Sequence, residues 1–378
     1  MQQIKKFLKT ETVLCISSLL ALISLFPVPP DAAYLDYIDF RTLAILFCLM
    51  AVMAGFQENG LFAVIAQSIL SHVKNIRQIL FVLVLLCFFC SMFITNDVAL
   101  ITFVPLTIIV FHMLDEKLKK WLIPAIVLQT IAANLGSMLT PIGNPQNLYL
   151  YGLSGLSIRE FLLYMLPFSA VSAVLLLAAL ALIRGKEQKI RAGEHSKGVR
   201  KYDKKRILRI TVYLALFIFS LLVVVHVVPC CFLVISVLIL LFVLEKRVLL
   251  DIDYALLFTF IGFFIFTGNM GNVDIIKEFL QHLVAGREVF VGILTSQCIS
   301  NVPAALLLSG FTTDYKSLLL GVNLGGLGTL IASMASLISY KFLVNQYPDK
   351  KGRYMLWFTI ANIVFLLILS GFYFLIYK

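Results

Sequence analysis

From Trp121 to Tyr151 the chain reads as an apolar run long enough to cross a bilayer. In its middle stands Ala133-Asn-Leu-Gly-Ser-Met-Leu-Thr-Pro-Ile-Gly-Asn-Pro-Gln-Asn147, with two glycines, two prolines and three asparagines. A helix interrupted in this way frees backbone carbonyls and amides. Hydrocarbon offers them no partners, so such backbone is tolerated only where it is buried in protein or lines a water-filled cavity. The stretch therefore predicts a binding site at membrane depth.

The rest of the chain fits that setting. Hydrophobic residues make up 61% and charged residues 13%, against about 25% charged in soluble domains. This is the composition of an all-α polytopic membrane protein. The formal net charge of +11 does not point to nucleic acid as a partner. The basic residues sit in short loops between apolar runs, where they set orientation in the bilayer. The seven cysteines lie mostly inside apolar runs and read as small buried hydrophobes. Cys87-x-x-Cys90 lacks the further His or Cys ligands that a metal needs. Met1 to Thr10 leads into a retained first span, since no small-residue cleavage site follows.

Charge places the loops. Lys5, Lys6 and Lys9 precede a span at 12–28, and Asp31, Asp36 and Asp39 follow it, which puts the N-terminus on the cytoplasmic side. Spans follow at 40–57, 121–152 (interrupted), 161–183, 208–228, 230–244, 254–267, 315–340 (interrupted) and 356–377, about nine in all, with the C-terminus external. Residues 61–73 and 273–284 read as interfacial helices. The basic segment Arg184 to Arg209 reads as a cytoplasmic linker. Two pairs of apolar arms, 79–113 and 288–310, surround the polar tips Thr95-Asn96-Asp97 and Ser300-Asn301. The first pair reads either as two short spans or as a re-entrant hairpin. The tip carboxylate and an internal repeat favour the hairpin. Arms of the second pair are too short to span, since crossing takes about 20 residues.

The repeat is explicit. Asn134-Leu-Gly-Ser-Met-Leu-Thr140-Pro-Ile142 aligns with Asn323-Leu-Gly-Gly-Leu-Gly-Thr329-Leu-Ile331, and Leu148 then meets Leu337. Thr95-Asn96-Asp97-Val98-Ala99 faces Ser300-Asn301-Val302-Pro303-Ala304. The loop charges give the copies opposite orientations. Paired interruptions in an inverted repeat are the best sequence pointer to a transporter's central site. The expected organisation is a first repeat over 1–183, a basic linker and connecting helix over 184–229, and a second repeat over 230–378.

With Ile94-Thr-Asn-Asp-Val-Ala-Leu100, Asn134-Leu-Gly, Pro141-Ile-Gly-Asn-Pro-Gln-Asn147 and Ser300-Asn-Val-Pro303, nearly the whole chain resembles the ion transporter superfamily. The nearest members are the arsenite permeases, the Nha-D type sodium–proton antiporters and the divalent-anion symporters. The dicarboxylate carriers of this group have Ser-Asn-Thr at both tips. The tips here, Thr-Asn-Asp and Ser-Asn-Val, place the chain nearer the arsenite-permease branch. The resemblance implies an elevator-type secondary carrier in which hairpins and broken helices move against a dimerisation scaffold, hence a homodimer in the plasma (inner) membrane. It also leaves room for a separate partner ATPase, although the chain itself has no Walker motif.

Candidate ligands cluster at the tips and breaks. Asn96, Asn134, Asn144, Asn147, Asn301, Asn323 and Ser333 are the candidates for substrate contact. Thr95, Asn96, Asp97, Thr140, Gly143, Ser300, Asn301, Thr329 and Ala332 are candidates for the coupling ion. Oxygen-rich ligation suits Na⁺, with unwound carbonyls near Gly143 and Ala332 completing the shell; no other cofactor is indicated. Half-helix N-termini at Val98, Leu148, Val302 and Leu337 would attract an anion. Asn134 and Asn323 serve equally well as interhelical hydrogen-bonding residues, worth about 1 kcal/mol. Asp97 fits two roles, Na⁺ ligand or proton carrier, because an intramembrane acid is functional by default. His112 and His226 show no partner in the sequence and read as structural. The expected function is coupled transport of a small anion or of arsenite. The alternatives are a Na⁺/H⁺ antiporter on the same fold, or a channel or receptor. No paired acids or His/Asp/Ser cluster suggests an enzyme.

Overall fold

A computed structural model describes residues 11–32, 34–70, 73, 75–112, 114, 116, 118–182, 203–243 and 245–377. Lys5, Lys6, Lys9, Lys74, Lys117 and the linker up to residue 202 lie outside the described residues. Every regular element is helical, and no strand occurs among the described residues.

In chain order the helices are α1 (Thr12–Ser24), α2 (Tyr34–Tyr37), α3 (Phe40–Glu58), α4 (Leu61–Leu70), α5 (Ile76–Ile94), α6 (Asn96–His112), α7 (Leu122–Ser137), α8 (Pro145–Ser154) and α9 (Ile158–Leu182). They continue with α10 (Lys204–Val224), α11 (Cys230–Val243), α12 (Tyr254–Gly271), α13 (Asp274–Val284), α14 (Glu288–Ile299), α15 (Asn301–Ser309), α16 (Tyr315–Gly325), α17 (Met334–Gln346) and α18 (Lys351–Tyr377). The order in α3–α9 recurs in α12–α18: a long helix, a short one, two arms, an interrupted pair, a long closing helix.

α3, α5, α9, α10, α12 and α18 are long and apolar enough to cross a membrane singly. α1 and α11, with 13 and 14 residues, fall short of the length of about 20 that crossing requires. The basic segment expected as linker up to Arg209 turns helical at Lys204, and α10 ends at Val224, earlier than expected.

α5 has 19 residues, so its length alone suits a span. Its neighbours show where its tip lies. Gln129 Nε2 donates to the Leu83 carbonyl at 3.4 Å, Thr140 Oγ1 donates to the Met92 carbonyl, and Asn96 N donates to the Gly143 carbonyl at 3.1 Å. α5 therefore climbs parallel to α7 and turns level with the interruption. α8 continues past that level for 10 residues, about 15 Å at helical rise. α14 climbs beside α16 in the same way, with Gly321 against Val289 and Gly325 against Ser296 and Gly292. The approach demands glycine. A Cβ at Gly136 would come 2.1 Å from the Phe88 carbonyl oxygen, and one at Gly325 would come 2.6 Å from Ser296 Oγ.

The halves interlock across the centre. α6 packs on α17, and α15 packs on α8 and α16. α7 and α17 run antiparallel, with Thr130 Oγ1 donating to Ser339 Oγ at 2.8 Å and Ser333 Oγ donating to Asn134 Oδ1 at 3.0 Å. Outside this centre, α3, α10 and α11 pack together, joined where buried Glu245 accepts from Tyr213 Oη at 2.7 Å and pairs with Arg209 at 2.8 Å. The exposed faces of α10 and α11 are apolar, for example Leu214, Ile218, Ile235 and Ile239, as helices in contact with lipid require.

Candidate functional site

Both tips are built alike. Thr95 has φ 63° and ψ 150°, and Ser300 has φ 78° and ψ 156°. This region of backbone space is left almost entirely to glycine, and holding another residue there costs about 1–3 kcal/mol. The turn reverses the chain between α5 and α6, and again between α14 and α15. In each case the next residue is an asparagine whose Oδ1 accepts a backbone N–H, from Asp97 at 3.0 Å and from Val302 at 3.0 Å.

The interruptions expose carbonyls that must be satisfied, and the halves do this differently. In the first, Asn147 Nδ2 donates to the carbonyls of Ser137 (3.2 Å), Met138 (3.2 Å) and Thr140 (3.0 Å). In the second, Gln297 Nε2 donates to the carbonyls of Gly325 and Leu327, both at 2.9 Å. Gln297 Oε1 accepts from Thr329 N at 2.8 Å, and Thr329 Oγ1 reaches the Gln297 carbonyl at 3.3 Å. Asn147 belongs to the broken helix itself, whereas Gln297 belongs to the neighbouring arm.

The second half-helices begin at Pro145 and Met334, not at Leu148 and Leu337. The second arms begin at Asn96 and Asn301, not at Val98 and Val302. Asn144 is the N-cap of α8 and accepts from Asn147 N at 2.9 Å; Pro145 follows at N1, where its missing N–H costs nothing. Ser333 is the matching N-cap of α17.

A web of buried amides ties these parts together. Asn134 Oδ1 accepts from Asn96 Nδ2 at 3.0 Å as well as from Ser333, and Asn134 Nδ2 donates to the Gly326 carbonyl at 3.3 Å. Asn323 Oδ1 accepts from Asn144 Nδ2 at 3.1 Å, and Asn323 Nδ2 donates to Asn147 Oδ1 at 2.6 Å. Each of the pairs Asn134–Ser333 and Asn323–Asn144 thus joins an asparagine of one interrupted helix to the N-cap of the other. Asn134 and Asn323 act as interhelical hydrogen-bonding residues here.

Beside the web lies a cavity of about 180 Å³. Thr95, Asp97, Asn144 and Pro145 line its inner end, Met334 and Ile338 come from α17, and Leu49, Met53 and Gln57 from α3. Asp251 and Asp253 line it too, and among the described residues no Lys, Arg or His does. Asp97 Oδ1 is buried and has no hydrogen-bond partner. A buried carboxylate oxygen without a partner is costly. Among the described residues no three His, Cys, Asp or Glu groups converge as a metal site.

Of the residues singled out from sequence, Thr95, Asp97 and Asn144 face this cavity. Asn96, Asn134, Asn147, Asn323 and Ser333 are buried in the amide web. Thr140 is spent on the Met92 carbonyl, and the Gly143 carbonyl on Asn96 N. Ser300, Asn301, Thr329 and Ala332 surround the second tip and break and do not line the cavity. Sequence reading missed Gln297, whose role depends on which arm meets which break. It also missed the partner of His226: Arg41 Nη1 lies 3.0 Å from its Nε2, across 185 positions of chain.

The profile of a family described as citrate transporter matches residues 4–314. An uncharacterized transporter of Methanocaldococcus jannaschii is 32% identical over 337 residues, covering 89% of this chain and 89% of its own. The inner membrane protein YbiR of Escherichia coli is 32% identical over 355 residues, covering 88% of this chain and 89% of its own. The mouse P protein is 32% identical over 113 residues, which cover 30% of this chain and 13% of that one.

Proposed function

Because the chain belongs to the citrate transporter family, a family of membrane transporters and not enzymes, we propose that it is a secondary carrier of a small anion, an organic carboxylate or an oxyanion, coupled to H⁺ or Na⁺ through Asp97. The observation that carries this reading is the partnerless Oδ1 of Asp97 beside the cavity. It stands at a strained turn, two residues from the tip residue Thr95, and lines the same cavity as Asn144, the N-cap of a half-helix. Half-helix N-termini favour anions by their partial positive charge, so Pro145 and Met334 at the cavity wall give an anion a place next to the coupling carboxyl.

Between the coupling ions, the hydrogen bonds favour the proton. A Na⁺ shell would draw on the carbonyls of the breaks. Those of Ser137, Met138, Thr140, Gly325 and Leu327 already accept from Asn147 and Gln297, that of Gly326 from Asn134 Nδ2, and that of Gly143 from Asn96 N, which fixes their direction and leaves each with fewer lone pairs for a cation. Asp97 needs no such shell to bind a proton.

The two halves, 1–183 and 230–378, would form an inverted repeat around this centre. The arms and interrupted helices are bonded into one body by the amide web and by Gln297. Against the frame, made of α3 and α10–α12, their contacts include Tyr149 on Phe260 and Phe264 at centroid distances of 6.2 and 5.4 Å and a long hydrogen bond from Thr267 Oγ1 to the Leu306 carbonyl at 3.4 Å. A rigid body on a largely apolar contact suits an elevator movement. The frame's exposed apolar faces suit a homodimer in the inner membrane, with the N-terminus cytoplasmic and the C-terminus external.

A second reading has its own support. The cavity wall carries Asp97, Asp251 and Asp253 and no base, a field that draws cations, as a Na⁺/H⁺ antiporter on this fold would need. Proteoliposomes decide. Radiolabelled citrate or arsenite should accumulate under an imposed pH gradient. Na⁺/H⁺ exchange without accumulation of any anion would replace the carrier reading with the antiporter.

A further inference from the structure

At the end of α3 and α10 remote from the Glu245 cluster lies a second polar group, outside the central cavity. Arg41, in the first turn of α3, is half-buried. Its Nη1 lies 3.0 Å from His226 Nε2, and its Nη2 donates to the Val223 carbonyl at 3.0 Å. A guanidinium only donates and is always charged, so Nε2 accepts and the imidazole is neutral in this arrangement. Among the described residues Arg41 makes no ion pair. The acid next to it, Asp39, is occupied as the helix cap, accepting from Thr42 N at 2.9 Å and from Thr42 Oγ1 at 2.5 Å.

His226 is held in place by the backbone. It has φ 63°, and Val227 N donates to the Leu222 carbonyl at 2.9 Å, closing α10 with the reversal that glycine usually makes. A histidine there carries a strain that glycine would avoid, and the strain aims the ring at Arg41. The ring also stands edge-on to Tyr151 of α8 at a centroid distance of 6.4 Å. On the following helix, the first titratable group is Cys230, which lies near Cys48. The groups facing His226 are thus one fixed cation, one phenol and, nearby, one capped acid.

We propose that Arg41 and His226 form an anion-docking site at the outer end of the frame, where the carboxylate or oxyanion group of a solute binds and His226 takes up a proton as it does so. The inference rests on the anion-carrier reading and on the external placement of this end. An anion lying between the two side chains would accept from the free guanidinium N–H groups and from a protonated Nε2. Burial, and then the Arg41 charge, hold the His226 pKa below its ordinary value. A bound anion opposes the Arg41 field and brings it back up. By linkage, whatever raises proton affinity on binding must bind more tightly as pH falls. With one proton involved, the gain is at most about tenfold per pH unit. The α8 contact through Tyr151 places the site at the boundary between the frame and the central body.

The test is binding of sodium citrate and sodium sulfate to purified full-length protein in detergent, read by thermal shift and calorimetry between pH 5.5 and 8. Wild type should bind several-fold more tightly for each pH unit lowered. His226→Asn keeps the turn, because asparagine tolerates a left-handed φ, and should bind with a clearly shallower pH profile than wild type. Arg41→Gln should weaken binding about tenfold or more at every pH, with Arg41→Lys intermediate as the control for folding. Repeating the comparison in the Asp97→Asn background removes the coupling carboxyl's own proton linkage, so that the slope that remains there, and that His226→Asn abolishes, belongs to this site. Equal binding by wild type and Arg41→Gln, or an unchanged slope in His226→Asn, would overturn the site while leaving the carrier reading intact. Absence of anion binding to wild type at every pH would overturn both.

Discussion

The two interrupted helices meet the same physical demand with different residues. Asn147 closes the first break from within its own helix, donating to three carbonyls. Gln297 closes the second from the neighbouring arm. At the position that matches Asn147, 189 residues on, the second half has Ser336, whose buried hydroxyl has no partner. The tips differ in a related way: Asp97 in the first corresponds to Val302 in the second. The first break is self-supporting and stands beside a free carboxyl and a cavity. The second is locked to its hairpin and carries no acid. One half is equipped for chemistry, the other for holding shape.

This contrast can be broken by mutation. Asn147→Ala takes the side-chain donor from the Ser137, Met138 and Thr140 carbonyls, of which Thr140 keeps Gly143 N at 3.2 Å, and removes the bond to Asn323 Nδ2. Each unsatisfied buried group costs about 1–3 kcal/mol, and the losses are not additive. A destabilisation of about 3 kcal/mol or more is expected, read as a large fall in Tm and in folded yield. Gln297→Ala removes the clamp of the second break at a half-buried position. About 2 kcal/mol is expected, with faster proteolysis confined to the segment 325–333. A Gln297 variant as costly as Asn147→Ala would erase the distinction between the breaks.

The smallest effect sharpens the comparison. Ser336→Ala removes a hydroxyl that is buried without a partner, and deleting such a group is nearly neutral or slightly stabilising. A Tm within about a degree of wild type is the expected result, since ΔΔG should stay within about 0.5 kcal/mol. A loss comparable to that of Gln297→Ala would mean that Ser336 holds the second break after all.

Much of this was legible in the sequence because the bilayer makes it conspicuous. Glycine, proline and asparagine inside an apolar run can hardly be incidental where backbone must be satisfied internally. Asn134 and Asn323 fixed the register of the two copies, and Thr95 and Ser300 marked the turns. The repeat alignment puts the starts of α8 and α17 at Leu148 and Leu337, three residues after the observed Pro145 and Met334. For α8 the signal was present, since Asn144-Pro145 is an N-cap followed by a proline at N1. Met334 offers no such sign. Gln297 and the Arg41–His226 contact were not legible, because each depends on which elements meet. Nothing local marks Gln297 as a clamp 28 to 32 residues from its partners, or His226 as the neighbour of Arg41.

The measurement that tests the account most directly is anion accumulation by Asp97→Asn in proteoliposomes under an imposed pH gradient. Asparagine keeps the size of the side chain and the tip geometry but cannot exchange a proton. The account predicts a folded protein, with thermal stability equal to or above wild type, whose gradient-driven accumulation is lost. Uptake by Asp97→Asn that still follows the pH gradient at the wild-type rate would contradict it.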